Sequence, residues 1–254
     1  MNLENCKVLS TADFGSTFQG LDDKYSDVDK FSVVAQPLET SIFSNIKDGT
    51  RHVGSHHYYA LERFVSLIMQ GSFDSFLLLS SQLQNCRYVP VNQHVLDDFY
   101  KDKDVFHQLV MSRQKRYASS LMSVMKRCLY EQDKSPEKYG KTIVKKVAFM
   151  NRLYAFISTL EKSEKFDYKT FVKPDVHLTM LHVDDVLPYK RYTYKQWFND
   201  DRAVGLYYKI EKDFRKLEKM YHSIKLKDSP FKKEDRLRNK TIKFLISKEK
   251  EAFK

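Results

Sequence analysis

The stretch Ala12-Asp13-Phe14-Gly15-Ser16-Thr17-Phe18-Gln19-Gly20 leads to Tyr25-Ser26-Asp27-Val28-Asp29 and then to the apolar run Phe31-Ser32-Val33-Val34-Ala35. Residues i and i+2 of a β-strand point to one face, about 6–7 Å apart along the chain. A strand over residues 28–35, entered from Asp27, would therefore aim the carboxylates of Asp27 and Asp29 at one point. Hard cations such as Mg²⁺ take oxygen ligands and retain substrate phosphates in their shell. Gly15 permits a tight backbone turn, and Ser16 offers a hydroxyl and a backbone N–H to a phosphate. The combination is suited to a metal-bound nucleoside triphosphate.

Working outward, residues 7–12 read as a short strand that ends in the Gly15-Ser16 turn, and residues 17–20 as one helical turn. Residues 51–58 read as a third strand. Leu61, Phe64, Val65 and Ile68 recur at helical spacing, and Gly71 is placed to cap that helix. From residue 95 the pattern changes to long helices. Ser135-Pro136-Glu137 marks a helix start, and Leu206, Ile210, Phe214, Leu217, Tyr221 and Ile224 trace an amphipathic helix. A final basic helix follows Asp228-Ser229-Pro230. These elements imply an α+β fold: a small mixed β-sheet core over residues 1–90 and a larger helical region over residues 91–254 with a basic C-terminal segment.

The formal net charge is +11. Residues 205–254 hold 16 Lys and Arg against 8 Asp and Glu, a net +8, which leaves +3 for the rest. Such asymmetry points to a polyanionic partner, RNA, tRNA or DNA, reached through the C-terminal segment. The alternative is a Lys-rich solvated surface, and the acids within Lys232-Lys233-Glu234-Asp235-Arg236-Leu237-Arg238 fit a salt-bridged helix. With 42% apolar residues the chain supports a real core. Cys6, Cys86 and Cys128 are widely spaced and lack metal-ligand spacing, as expected of a reducing, cytoplasmic setting. Neither a signal peptide nor a membrane span is expected. Asp13-Phe14-Gly15 spells the kinase metal-binding triplet, but no kinase glycine loop, strand lysine or catalytic loop accompanies it. His177 and His182, near Asp184-Asp185, read as a polar pair more readily than as a metal site.

Gly-Ser, a glycine-containing spacer and Ser-Asp-x-Asp before a hydrophobic strand resemble the DNA polymerase β-like nucleotidyltransferase superfamily, in particular its bacterial and phage predicted-nucleotidyltransferase branch. Tyr59-Ala60-Leu61-Glu62-Arg63-Phe64 is similar to that branch's helix after the third core strand. Lys146-Val147-Ala148-Phe149-Met150-Asn151-Arg152-Leu153 is similar to its Lys-x-Ala-x-His-x-Arg-Leu helix, with Met150 in place of the histidine. The resemblance implies transfer of a nucleoside monophosphate from an NTP such as ATP to a nucleic-acid end or a protein acceptor, with release of pyrophosphate. Asp27 and Asp29 would be the catalytic ligands of Mg²⁺ or Mn²⁺, and Gly15, Ser16, Lys146 and Arg152 would bind the nucleotide. The superfamily usually adds a third carboxylate on the next core strand. Arg51-His52-Val53-Gly54-Ser55-His56-His57-Tyr58-Tyr59 contains none. His56 and His57 stand where it is expected, and Asp48, Glu62, Asp74 and Asp13 are the nearest acids. The alternative is a catalytically degenerate member that binds nucleotide, nucleic acid or a protein.

Overall fold

Strands β1 (Lys7–Phe14) and β2 (Asp29–Ala35) form an antiparallel pair running from Lys7↔Ala35 to Phe14↔Asp29, with a register shift between Val8 and Ser10. The computed structural model describes residues 1–37, 49–85, 87–88, 105–166, 168–172 and 180–252. The sheet is mixed. β4 (His56–Ala60) lies parallel to β2, β3 (Thr50–Val53) is antiparallel to β4, and β5 (Arg87–Tyr88) adds to the free edge of β1, giving the order β3-β4-β2-β1-β5.

The strand expected over residues 51–58 is in fact a hairpin. Gly54 at φ +58° and Ser55 form a two-residue turn between β3 and β4. Two-residue hairpin loops require positive φ, which glycine adopts without strain. The turn reverses the chain after Val53, so β4 alone pairs with β2.

A four-residue helix, α1 (Gly15–Phe18), follows β1 directly. The 61–70 periodicity is realised as α2 (Leu61–Gln70), which buries Leu61, Phe64, Val65, Ile68 and Met69 and ends on Gly71 in the left-handed conformation. Phe64 packs against Phe31 of β2, ring centroids 6.1 Å apart, and Phe31 also meets Tyr59 and Phe14. Phe31 is fully buried, and removing its ring would cost about 3–5 kcal/mol. The next helices are α3 (Phe73–Asn85) and α4 (Val105–Ser112).

The chain divides into two units, Met1–Arg113 with Asp228–Lys254, and Gln114–Lys227. The expected boundary at residue 90 does not coincide with this division. Helix α4 and the basic C-terminal segment fold with the sheet, and only residues 114–227 form the helical unit. Three contacts of Arg113 show why. It donates from Nε to the Met69 carbonyl, from Nη1 to the Ser229 carbonyl and from Nη2 to Glu234. Buried Phe231 and Leu237 add an apolar anchor, and α11 (Glu234–Ala252) packs on α2.

The second unit comprises α5 (Gln114–Lys134), a 3₁₀ turn (Pro136–Lys138) where the helix start was expected, α6 (Tyr139–Lys162), the short α7 (Tyr168–Val172), α8 (Val183–Val186) and α9 (Tyr194–Phe198), and α10 (Asp201–Ser223). Its core carries an aromatic cluster. Tyr117 meets Phe156, Phe166 and Phe171, and Trp197 meets Tyr139, Tyr189 and Tyr192. Among the described residues, no helix is long and apolar enough to cross a membrane.

Candidate active site

The first unit brings Gly15 and Asp29 together. β1 ends at Phe14, which pairs with Asp29 at the start of β2, so the turn into α1 begins beside the Asp29 side chain. Gly15 has φ +68°, and a Cβ built on it would overlap the Asp29 carboxylate. Glycine is thus required at residue 15 on two counts, conformation and space. Ser16 follows in α1, half-buried, and its carbonyl accepts the Leu21 N–H at 2.9 Å.

Asp27 is placed differently from the expectation. β2 begins at Asp29, and Asp27 lies exposed in the preceding loop, so strand alternation fixes only Asp29. That loop is nonetheless organised. Asp23 Oδ1 accepts from the Tyr25 N–H and the Ser26 hydroxyl, and the Ser26 N–H bonds the Asp23 carbonyl at 2.9 Å. Such aspartate-centred turns hold a short polar loop in one conformation, here just before Asp27.

Sheet geometry also sorts the candidates for a third carboxylate. Asp13 neighbours Phe14 on β1, so it points away from the face that carries Asp29. Glu62 follows Ala60, which pairs with Val34, five residues along β2 from Asp29 and therefore about 17 Å away along the strand. Asp74 interacts with Tyr59, toward that same far end. Asp48 lies outside the described residues.

His57 occupies the near position. It pairs with Phe31, whose side chain shares the Asp29 face, and its ring lies 5.8 Å from Phe14 and 4.3 Å from His52, centroid to centroid. Burial holds the His57 imidazole below its ordinary value, His52 acts in the same direction, and Asp29 opposes both. His56 faces the other way. There Thr11 Oγ1 and Ser32 Oγ share a hydrogen bond of 2.7 Å, Ser32 Oγ and His56 Nε2 one of 2.9 Å, and His56 Nδ1 and the Tyr58 hydroxyl one of 3.2 Å. This relay has nucleophile-and-base geometry, but Ser32 is 1% exposed and beyond the reach of a substrate. It is a cross-strand polar ladder. Nothing in the sequence announces it, because it depends on the parallel register of β2 and β4.

No protein-family model, curated protein or solved structure matches this chain.

Lys146 and Arg152 belong to the second unit and lie in its core. Lys146 is fully buried on α6, its ammonium 2.5 Å from Glu211 and 4.9 Å from the Phe214 ring centroid. Burial pushes that ammonium down, and the Glu211 hydrogen bond pulls it back up. Arg152 donates from Nε to the Phe171 carbonyl and from Nη2 to the Val172 carbonyl, and burial lowers its guanidinium to about 10. Met150, at the signature histidine position, is buried between them. The expected nucleotide contacts are thus core cations with partners inside their own unit. His182 caps α8 through its imidazole; His177 lies outside the described residues.

Whether the residues near Gly15 fit a divalent cation rests on the donor set. Asp29, beside the Gly15 turn, and the exposed Asp27 supply two hard oxygen groups, which suits an ion that keeps water and phosphate ligands. Among the described residues, no group of three or more His, Cys, Asp and Glu side chains is placed to hold a metal ion.

Proposed function

We propose that the first unit is a nucleotidyltransferase core that moves a nucleoside monophosphate from an NTP to a nucleic-acid or protein acceptor and releases pyrophosphate. One observation carries the reading: the Asp29 carboxylate lies against the backbone of Gly15, where the chain turns from β1 into Ser16. A carboxylate and a glycine-serine turn side by side are what a cation-bound triphosphate requires from its protein. Asp29 and Asp27 would hold Mg²⁺ or Mn²⁺. The cation, when bound, would draw charge from the phosphates during transfer. Ser16 would orient the phosphate tail by its hydroxyl and backbone N–H. Lys146 and Arg152 have no part in this reading.

A second reading has its own observation. His57, not an acid, shares the Asp29 face on the adjoining strand. Neutral imidazole is a poor ligand for Mg²⁺ and an acceptable one for Mn²⁺. The second reading is a core that binds nucleotide without turning it over.

The experiment incubates the protein with each α-labelled NTP, Mg²⁺ or Mn²⁺, total RNA and cell protein. Label on a macromolecule, lost in Asp27→Ala/Asp29→Ala, supports transfer and reveals the acceptor class. Nucleotide binding without transfer under both metals supports the second reading. Neither binding nor transfer refutes both.

A further inference from the structure

The outward face of α10 is cationic and aromatic at helical spacing. Tyr208, Lys212, Arg215 and Lys219 follow one another at i, i+4, i+7 and i+11 and so lie within about 60° of arc. Ala203, Ile210, Asp213, Phe214 and Leu217 are buried on the opposite side. Lys216 flanks the stripe, and a cavity of about 430 Å³ opens along it.

Of the four acids of the helix, Asp201 lies in its first turn and the other three have partners off the stripe, although Glu211 also lines the cavity. Asp213 is buried and accepts the Leu181 N–H at 2.9 Å. Glu211 is bonded to Lys146, and Glu218 faces Lys126 of α5 at 3.6 Å. Among the described residues no carboxylate pairs with Lys212, Arg215 or Lys219. Tyr208 is 68% exposed, and Tyr207 holds its ring from one side, centroids 5.8 Å apart.

We propose that this face of α10 binds the backbone of single-stranded nucleic acid, with Lys212, Arg215 and Lys219 on successive phosphates and Tyr208 stacked on an unpaired base. The cations stand about 5–6 Å apart, of the order of one nucleotide step, along about 16 Å of helix. An exposed aromatic ring beside a cationic track is the usual means of holding single strands, whereas a duplex hides its base faces. The site belongs to the second unit and does not rest on the proposed transfer activity. It also differs from the C-terminal segment suggested by the charge distribution. There Glu234 bonds Arg238 at 2.6 Å and Arg113 at 3.2 Å, so part of the charge is already compensated.

The test is fluorescence anisotropy of the full chain with labelled oligo-U RNA, oligo-dT DNA and a duplex, each about 20 nucleotides long. Salt is varied from about 50 to about 200 mM. Lys212→Glu/Arg215→Glu/Lys219→Glu should weaken single-strand binding at least about tenfold and flatten the log–log salt slope by about 2. Tyr208→Ala should weaken single-strand binding about tenfold without altering any residual duplex binding; this arm stands even if the triple variant folds poorly. RNA and DNA arms separate the two single-strand sources, and binding of either supports the site. The proposal is overturned if no oligonucleotide binds, if the duplex binds as tightly as the single strands, or if both variants bind like wild type. It is equally overturned if Lys232→Glu/Lys233→Glu/Arg236→Glu alone abolishes binding, or if polyglutamate binds as tightly as RNA, which would indicate an acidic-protein partner or mere charge.

Discussion

The carboxylate of Asp29 lies against the α-carbon of Gly15, leaving no room for a side chain at residue 15. This contact joins the end of β1 to the start of β2 and makes the two residues interdependent. Gly15→Ala incurs two penalties: an alanine at φ +68°, about 1 kcal/mol, and overlap with Asp29, about 1–3 kcal/mol more. In Gly15→Ala/Asp29→Ala the overlap disappears and the backbone penalty stays. Urea melts of the four proteins in the cycle should therefore give a coupling equal to the overlap, about 1–3 kcal/mol. Additive losses would show that the two residues do not touch.

The 114–227 unit leaves and re-enters the first unit at neighbouring points. Arg113 and Asp228 form an isolated antiparallel bridge, and the Ser229 N–H bonds the Ser112 carbonyl at 2.8 Å. Insertions are tolerated where chain ends lie close together. Replacing residues 114–227 by a short Gly-Ser linker should leave a soluble first unit with a cooperative melt and mixed α/β circular dichroism. In that shortened chain Arg113→Ala should cost about 2–3 kcal/mol, because one guanidinium serves two carbonyls and Glu234. Arg113→Lys should recover little of it, since an ammonium lacks the fork that spans three acceptors. Aggregation of the shortened chain under all conditions would place the boundary elsewhere.

Much of this architecture is legible in the chain, and the failures have physical causes. Gly71 as a helix cap and the 206–224 period follow from local rules that nearby residues enforce by themselves. The β3–β4 hairpin was signalled by Gly54-Ser55, but the short flanking strands mimic one continuous strand until the turn is weighed. β5 is two residues long and is held by pairing with Ser10 and Thr11, a long-range contact with no local signature. Lys146 is the instructive case. It follows Ile143 by three residues and precedes Met150 by four, so it lies within the buried stripe of α6, and a cation there must find a partner. That partner, Glu211, is 65 residues away, which is why the lysine reads from sequence as a solvated or phosphate-binding group. From sequence, Asp27 is set beside Asp29 and Gly15 beside Ser16; that Asp29 lies against Gly15, and that Asp27 is exposed outside the strand, depends on the β1–β2 register and is not legible locally.

Asp200 gives the second unit a defined acid response. It caps α10, and the Ala203 N–H, the Tyr192 hydroxyl and the Arg202 N–H hold its carboxyl below the ordinary 3.8. A depressed folded value means that the unfolded chain takes up the proton first. The stabilisation is complete above about pH 3.8 and is lost as pH falls through the lower folded value. Asp200→Asn keeps an N-cap acceptor but does not titrate, so its melting temperature should fall less steeply between pH 5 and pH 2 than that of wild type. Asp200→Ala should be less stable than wild type at pH 7, with a similarly reduced slope. Equal acid slopes in all three proteins would remove Asp200 from the acid response.

His57 offers the sharpest test of how the candidate site works. Its backbone adjoins Phe31, one strand over from Asp29 and on the same face, and Asp29 acts on its imidazole electrostatically. If two carboxylates and an imidazole serve the proposed transfer, Mn²⁺ should support it better than Mg²⁺, because manganese accepts nitrogen ligands that magnesium disfavours. His57→Asp should then reverse that preference and raise Mg²⁺-dependent transfer about tenfold, while Asp29→Asn abolishes transfer with either metal. His57→Ala should lower the Mn²⁺ rate without the gain under Mg²⁺. His56→Asp is the control. Its side chain lies on the opposite face with Ser32 and Tyr58, so it should disturb folding of the sheet without changing the metal preference. Activity assays with both metals, normalised to folded protein from thermal melts, distinguish these outcomes. Equal metal preference in wild type and His57→Asp would mean that His57 takes no part in the site, whatever the fate of Asp29.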